Sequence, residues 1–251
     1  MRPDRFGCEF EFIVETSQDQ IVQEKLLEQF DNRFLVDLKK SSISSDPMQT
    51  KVHYKFEPSL NTEYGRELTS PVCSFDELRE YLNIFSIIVN ELGQTNELTG
   101  LHIHMSNSNE SCIELDLCKF VLLANNGNLL NNWGKRNQYC LNLMHILDHL
   151  NFDDVILFKN HKGRVWNFLQ RNIRHIEIRT FGGTNYQNRI EQVISEIEQY
   201  LTIFDEATSE QNSSEYLDLL DTHLSKVEGL SQETIENYLS TFPEIGNFLP
   251  H

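Results

Sequence analysis

Between Arg5 and Glu15 the chain alternates strictly between greasy and polar positions. Phe6, Cys8, Phe10, Phe12 and Val14 fall on one side of an extended strand; Gly7, Glu9, Glu11, Ile13 and Glu15 fall on the other. The same two-residue beat returns at 52–57, 65–69, 100–106 and 174–181, which predicts five strands. If they share one sheet, its polar face gathers Glu9, Glu11, Glu57, Glu67, His102, His104, Glu177 and Arg179. Carboxylates crowded in this way repel one another unless cations neutralise them.

The helical period appears between these strands. Residues 17–31 read as a helix capped by Ser17, with Ile21, Leu26, Leu27 and Phe30 as its stripe. A polar stretch from Lys39 to Thr50 follows as a loop, and Pro58, Asn61 and Gly65 mark turns. Ser74 and Glu77 form a capping box opening a helix with the stripe Leu78, Leu82, Phe85, Val89 and Leu92, stopped by Gly93. Residues 113–158 are mostly helical in pattern, interrupted by the Asn-rich run Asn125 to Asn132. A long amphipathic helix is expected over 187–206, its buried stripe being Ile190, Val193, Ile194, Ile197, Leu201 and Phe204. A polar linker at 207–214 and two short helices complete the chain. Strands scattered among helices predict an α+β fold: an antiparallel sheet with helices packed on its apolar face and a cleft on the other. We expect a catalytic domain over 1–206 and a helical extension, 207–251, packed on the same domain.

Composition narrows the function. The 251 residues are 39% hydrophobic and 10% aromatic, enough for a real core. Lys and Arg number 21 against 38 Asp and Glu, a net charge of −17, which argues against a nucleic-acid binder that grips phosphates. Five scattered cysteines with no C-x-x-C favour reduced thiols over a disulfide framework. The N-terminus lacks the apolar core of a signal peptide, and no run approaches the ~20 apolar residues of a membrane span, so a cytoplasmic protein without a membrane segment is expected.

The acidic face suggests metal chemistry. Glu9 and Glu11 lie two apart on one strand, with Cα atoms roughly 6.5–7 Å apart, so each can lead to a different hard cation. Glu57, Glu67 and Glu177 would complete a floor for Mg²⁺, and His102 could add a nitrogen ligand, which Mn²⁺ accepts more readily. Arg179, on the same face as Glu177, suits the charge that develops on a transferring phosphoryl group; its plainer reading is an ion pair with Glu177. Arg164, with Lys162, offers further cations for phosphate or simply surface charge. Gly127 to Lys135 fails as a P-loop, because the glycine spacing is wrong and Arg136 replaces the Ser or Thr. His145 and His149 stand one helical turn apart, but Asp148 occupies the glutamate position of an inverted zinc-peptidase helix, and packing histidines are the better reading. No G-x-S-x-G elbow occurs.

Taken in order, the motifs resemble the amidoligases, relatives of glutamine synthetase and glutamate–cysteine ligase. GCEFE is similar to their G-x-E-x-E opening, RELTSPV to an E-[LI]-[VT]-S-P segment, TGLHIHMS to a G-[LM]-H-x-H-x-[SG] strand, and HIEIRTFGGT to an E-[FI]-R strand. Residues 7 to 184 carry the resemblance; 185–251 carry none. It implies a curved, half-barrel antiparallel sheet like that of glutamine synthetase, binding ATP and two or three Mg²⁺ ions on its polar face. By position, Glu9, Glu11, Glu67, His102 and Glu177 resemble the metal ligands, and His104 lies near nucleotide or phosphate. Arg179 corresponds to a group near the transferred phosphoryl, and Arg164 to a phosphate-contacting arginine. One departure stands out: Glu57-Pro58-Ser59-Leu60 replaces the usual Asp-Gly-Ser-Leu, and glutamate's extra methylene shifts its oxygens.

The expected function is an ATP-dependent carboxylate–amine ligase acting through an acyl phosphate on small-molecule or peptide acid and amine substrates. Two alternatives use the same face: a metal-dependent hydrolase, and a binding protein that kept the sheet and lost turnover. Neither the substrates nor the oligomeric state follows from the sequence.

Overall fold

The first strand, β1 (Arg5–Ile13), is central in space as well as first in the chain. In the computed structural model, the described residues are 2–31, 33–38, 50–108, 115–126, 129, 133, 166–168 and 175–224. Among them β1 is followed by α1 (Asp19–Phe30), β2 (Phe34–Asp37), β3 (Val52–Phe56), β4 (Gly65–Thr69), α2 (Phe75–Leu92) and β5 (Gly100–Ser106). Then come α3 (Leu117–Asn126), β6 (Trp166–Phe168), β7 (His175–Gly182), α4 (Ile190–Ala207) and α5 (Ser214–Leu224). The strands form one open, curved sheet in the order β2-β3-β4-β1-β5-β7-β6. This is the expected α+β class.

The alternation of β1 works as its pattern implies. Phe6, Cys8, Phe10, Phe12 and Val14 are all buried on one side. There α2 crosses β1, and Phe10 meets Phe85 edge-on and packs against Tyr186. The α2 capping box is formed, with Ser74 and Glu77 each bonding the other's backbone. The stripe of α4 is buried throughout and packs on α3. Of the expected C-terminal extension, α5 is described; its Tyr216 and Leu220 join the same core.

The structure corrects the sequence reading at several points. The sheet is not wholly antiparallel, since β2 runs parallel to β3. The connection from Asp37 to Val52 exceeds the roughly dozen residues that a parallel return needs. β2 and β6 were not anticipated from the pattern. Ser17 does not cap α1: it lies in a 3-10 turn, Thr16–Gln18, and its hydroxyl bonds Glu15. The buried side chains of α1 are Asp19, Val22, Leu26 and Phe30, while Ile21 and Leu27 face solvent. What turns the helix this way is a buried ion pair. Arg66 on β4 bonds both oxygens of Asp19, at 2.9 and 2.7 Å, and the Tyr54 hydroxyl donates to the same carboxylate. Among the described residues no helix is long and apolar enough to cross a membrane.

Candidate functional site

Strand register decides which side chains meet. Glu9 on β1 pairs with Thr69 on β4 and His102 on β5, and Glu11 pairs with Glu67. His104 pairs with Glu177 on β7, and Lys55 on β3 with Glu67. Cross-strand partners share a face, so residues from five strands converge on the side opposite the helices. Between β5 and β7 the register shifts: Leu101 faces Phe181 but Ile103 faces Ile178. The extra residue falls at Arg179–Thr180, opposite His102. Such bulges bend a strand and re-aim side chains.

The loops that frame this face are held by specific bonds. The Ser70 hydroxyl, in the TSP segment, accepts from the Cys8 amide at 2.9 Å and so ties the end of β4 to β1. The Gly100 amide donates to Glu11 Oε2 at 2.6 Å, and the Tyr186 hydroxyl donates to the carbonyls of Glu11 and Gly100. At Gly65 the chain passes so close to the preceding turn that a Cβ would lie 2.5 Å from the Glu57 carbonyl oxygen. Only glycine allows that approach, and it brings Glu57 beside Glu67.

Glu11, Glu67, His102 and Glu177 are each at most 6% exposed, whereas Glu9, His104, Glu57 and Arg179 are half-buried. His102 sits at the centre. Its Nδ1 is 3.0 Å from Glu9 Oε2 and 3.5 Å from Glu177 Oε1, and its Nε2 is 3.7 Å from Glu11 Oε1. His104 places Nε2 3.4 Å from Glu9 Oε1 and Nδ1 3.1 Å from Nε2 of His175. Arg179 donates to Glu177. Lys55 and the Thr69 hydroxyl both donate to Glu67 Oε1, at 2.8 and 2.7 Å. Glu57 closes the 3-10 turn Pro58–Leu60, accepting from the Ser59 amide at 2.9 Å.

This crowding moves the ionisations apart. Burial would raise the Glu9 carboxyl, but hydrogen bonds and charge from His102 and His104 hold it well below the usual range. Burial likewise opposes ionisation of Glu177, and His102 and Arg179 outweigh it. Glu67 goes the other way: burial and the charge of Glu9 push it well above the usual range, and Lys55 offsets only part. For Lys55, burial opposes the charged form, yet Glu67 carries its ammonium above the ordinary value. His104 is raised because Glu9 overcomes its burial, while burial and then the charge of His104 lower His175 to about 4. Pairs driven apart in this way mark sites built around charge.

Two donor sets emerge. Ligand atoms of Glu11, Glu57 and Glu67 lie within 4.8 Å of one another, and so do those of Glu9, His104 and Glu177. The all-oxygen set fits a hard divalent cation such as Mg²⁺; the set with one nitrogen also suits Mn²⁺. The histidine in the second set is His104, whereas the sequence singles out His102 as the nitrogen ligand; His102 lies between the sets. Of the expected site residues, Glu9, Glu11, Glu67, His102, His104, Glu177 and Arg179 come together on one face. Arg164, Lys162, His145 and His149 lie outside the described residues. Lys55, Thr69 and His175 belong to the site and were missed. Lys55 and His175 each stand two residues before a glutamate already singled out, so the same alternation points to them.

A sequence family described as "Putative amidoligase enzyme" matches residues 2–140, more than half of the chain. The match includes β1, β4 and β5 but ends before β7. A comparison with curated proteins finds no match. Among solved structures, a glutamine synthetase of Plasmodium falciparum aligns with a TM-score of 0.38 and 12% identity over 98% of this chain and 73% of that one. The complex of the prokaryotic ubiquitin-like protein Pup with its ligase PafA aligns at 0.32 and 10% identity, over 97% of this chain. There the alignment spans 63% of the other chain, less than two thirds of its length.

Proposed function

The chain belongs to the amidoligase family, and from that premise we propose that it is an ATP- and Mg²⁺-dependent carboxylate–amine ligase. The observation that carries this reading is the convergence, from segments far apart in sequence, of two metal-sized donor sets on one face, the second including His104, with Arg179 beside them. Glu11, Glu57 and Glu67 would hold one cation and Glu9, His104 and Glu177 another, with His102 between them, and Mn²⁺ could substitute. Bound there, divalent cations would neutralise phosphate charge and favour attack at the γ-phosphoryl group.

The chain's own groups orient and exclude. Arg179, steadied by Glu177 and re-aimed by the bulge, would offer its guanidinium to the charge that builds on a transferring phosphoryl group. His104, braced by His175, keeps a ring nitrogen toward Glu9, and would lie near the phosphates of a bound nucleotide. Arg164, thirteen residues before Glu177, is assigned to phosphate by the resemblance to the family's phosphate-contacting arginine. The substrate carboxylate attacks the γ-phosphorus and ADP leaves, giving an acyl phosphate. The amine nitrogen then attacks the acyl carbon, phosphate leaves carrying the proton that the nitrogen gives up, and an amide remains. This sequence needs no protein nucleophile. In agreement, the described cysteines Cys8 and Cys73 are buried; burial drives both thiols upward, that of Cys73 to about 12. Their free thiols support a reducing, cytoplasmic location. The acid and the amine are small molecules or peptides. We read residues 207–251 as an extension of this catalytic domain, because Tyr216 and Leu220 share its core.

Thermal unfolding with and without Mg-ATP tests the reading, followed by ADP release against panels of acids and amines. We expect Mg-ATP to raise the Tm, and ADP release to require both an acid and an amine. Stabilisation by Zn²⁺ alone, with none from Mg-ATP, would overturn it.

A further inference from the structure

We propose that Lys55 is an active-site residue with two successive partners: its ammonium holds the place of a divalent cation on Glu67, and once displaced it binds a phosphate oxygen of the nucleotide. The inference rests on the ligase reading above and extends it to a residue for which that reading has no role.

The argument begins with the lone pairs of one atom. Glu67 Oε1 accepts from Thr69 Oγ1 at 2.7 Å and from Lys55 Nζ at 2.8 Å. A carboxylate oxygen offers two lone-pair directions, so both are taken. A cation shared by Glu11, Glu57 and Glu67 that uses this oxygen must therefore displace a donor. Thr69 sits two residues away on the same strand, on a short side chain with little freedom. Lys55 reaches across from β3 on a flexible four-carbon stem, and its side chain is 38% exposed. It is the donor able to leave.

Charge points the same way. Three carboxylates with ligand atoms within 4.8 Å of one another need more positive charge than a single ammonium supplies. A divalent cation supplies it at shorter range, about 2.1 Å for Mg²⁺. An ammonium left beside that cation is repelled by it and attracted to whatever anion the cation carries. In an ATP-dependent ligase that anion is a phosphate. On the described part of the polar face Lys55 stands on the β3 side of the carboxylate floor and Arg179 on the β7 side, so the pair would clamp a phosphate chain lying across it.

The test is calorimetric titration of Mn²⁺ into the full chain, comparing wild type with Lys55→Met and Lys55→Arg. Lys55→Gln serves as a second neutral variant that keeps a hydrogen bond to Glu67 should the Met form fail to fold. Neutral variants should bind Mn²⁺ about tenfold more tightly than wild type, since a competing charge is gone, and Lys55→Arg should stay near wild type. At saturating Mn²⁺ the order should invert: the ATP analogue AMPPNP should bind the neutral variants about tenfold more weakly, with Lys55→Arg restoring most of the loss. Mn²⁺ affinity unchanged or reduced in both folded neutral variants would overturn the place-holding role, and unchanged AMPPNP affinity would overturn the phosphate contact. Wild-type protein that binds no Mn²⁺ would instead sink the ligase reading, and this inference with it.

Discussion

Tyr54 shows how much a single hydroxyl controls here. It is fully buried and donates to Asp19, the residue that Arg66 grips from β4. Burial first, then the hydrogen bond to Asp19 and its charge, push the phenol well above its ordinary value of 10.0. A group whose folded value is raised stabilises the fold fully below its unfolded value and loses that contribution as pH rises. Stability should therefore fall steadily above pH 10. In Tyr54→Phe that alkaline decline should be shallower, from a starting point about 1 kcal/mol lower at neutral pH for the lost hydrogen bond. Urea unfolding across a pH series reads both effects. Glu9 makes a different case, because it faces His102 and His104 at once. Glu9→Gln should keep the fold, whose core lies on the other side of β1, yet weaken Mn²⁺ binding by more than about tenfold in calorimetry.

At the scale of the element, α2 carries its own start signal, and both halves of its capping box are formed. Ser74→Ala should cost about 1 kcal/mol and lower the thermal midpoint without changing metal affinity. The strands holding the site were legible for a similar reason: charged and greasy residues two apart leave little doubt which way each side chain faces. β5 was legible over its whole length, and β7 to within one residue. β2 and β6 were not, since Phe34-Leu35-Val36 has no alternation and β6 is three residues long. The rotation of α1 departs from its apolar stripe because the buried ion pair of Asp19 and Arg66 fixes it, and such pairing leaves no mark on the spacing of apolar positions. The turn that sets Glu57 beside Glu67 likewise depends on the contact at Gly65 rather than on any local pattern. Lys55 and His175 lie on the same alternation, each two residues before a glutamate of the site, so the pattern that marks Glu57 and Glu177 also marks them.

Across the whole molecule, core and site share a backbone. Phe10 is completely buried between Glu9 and Glu11, packed against Phe85 and Tyr186. Phe10→Ala should cost about 3–5 kcal/mol in chemical denaturation and also weaken Mn²⁺ binding, as the strand carrying both glutamates loses its seat. A surface substitution on the exposed side of α2, such as Ile87→Ser, should leave both quantities within experimental error of wild type. The donor sets draw on residues as distant as Glu9 and Glu177, joined through strands that are neighbours in space and strangers in sequence. During synthesis, then, the first glutamates emerge long before their last partner. A nascent chain that stops short of β7 lacks Glu177 and so cannot complete the donor set shared with Glu9 and His104.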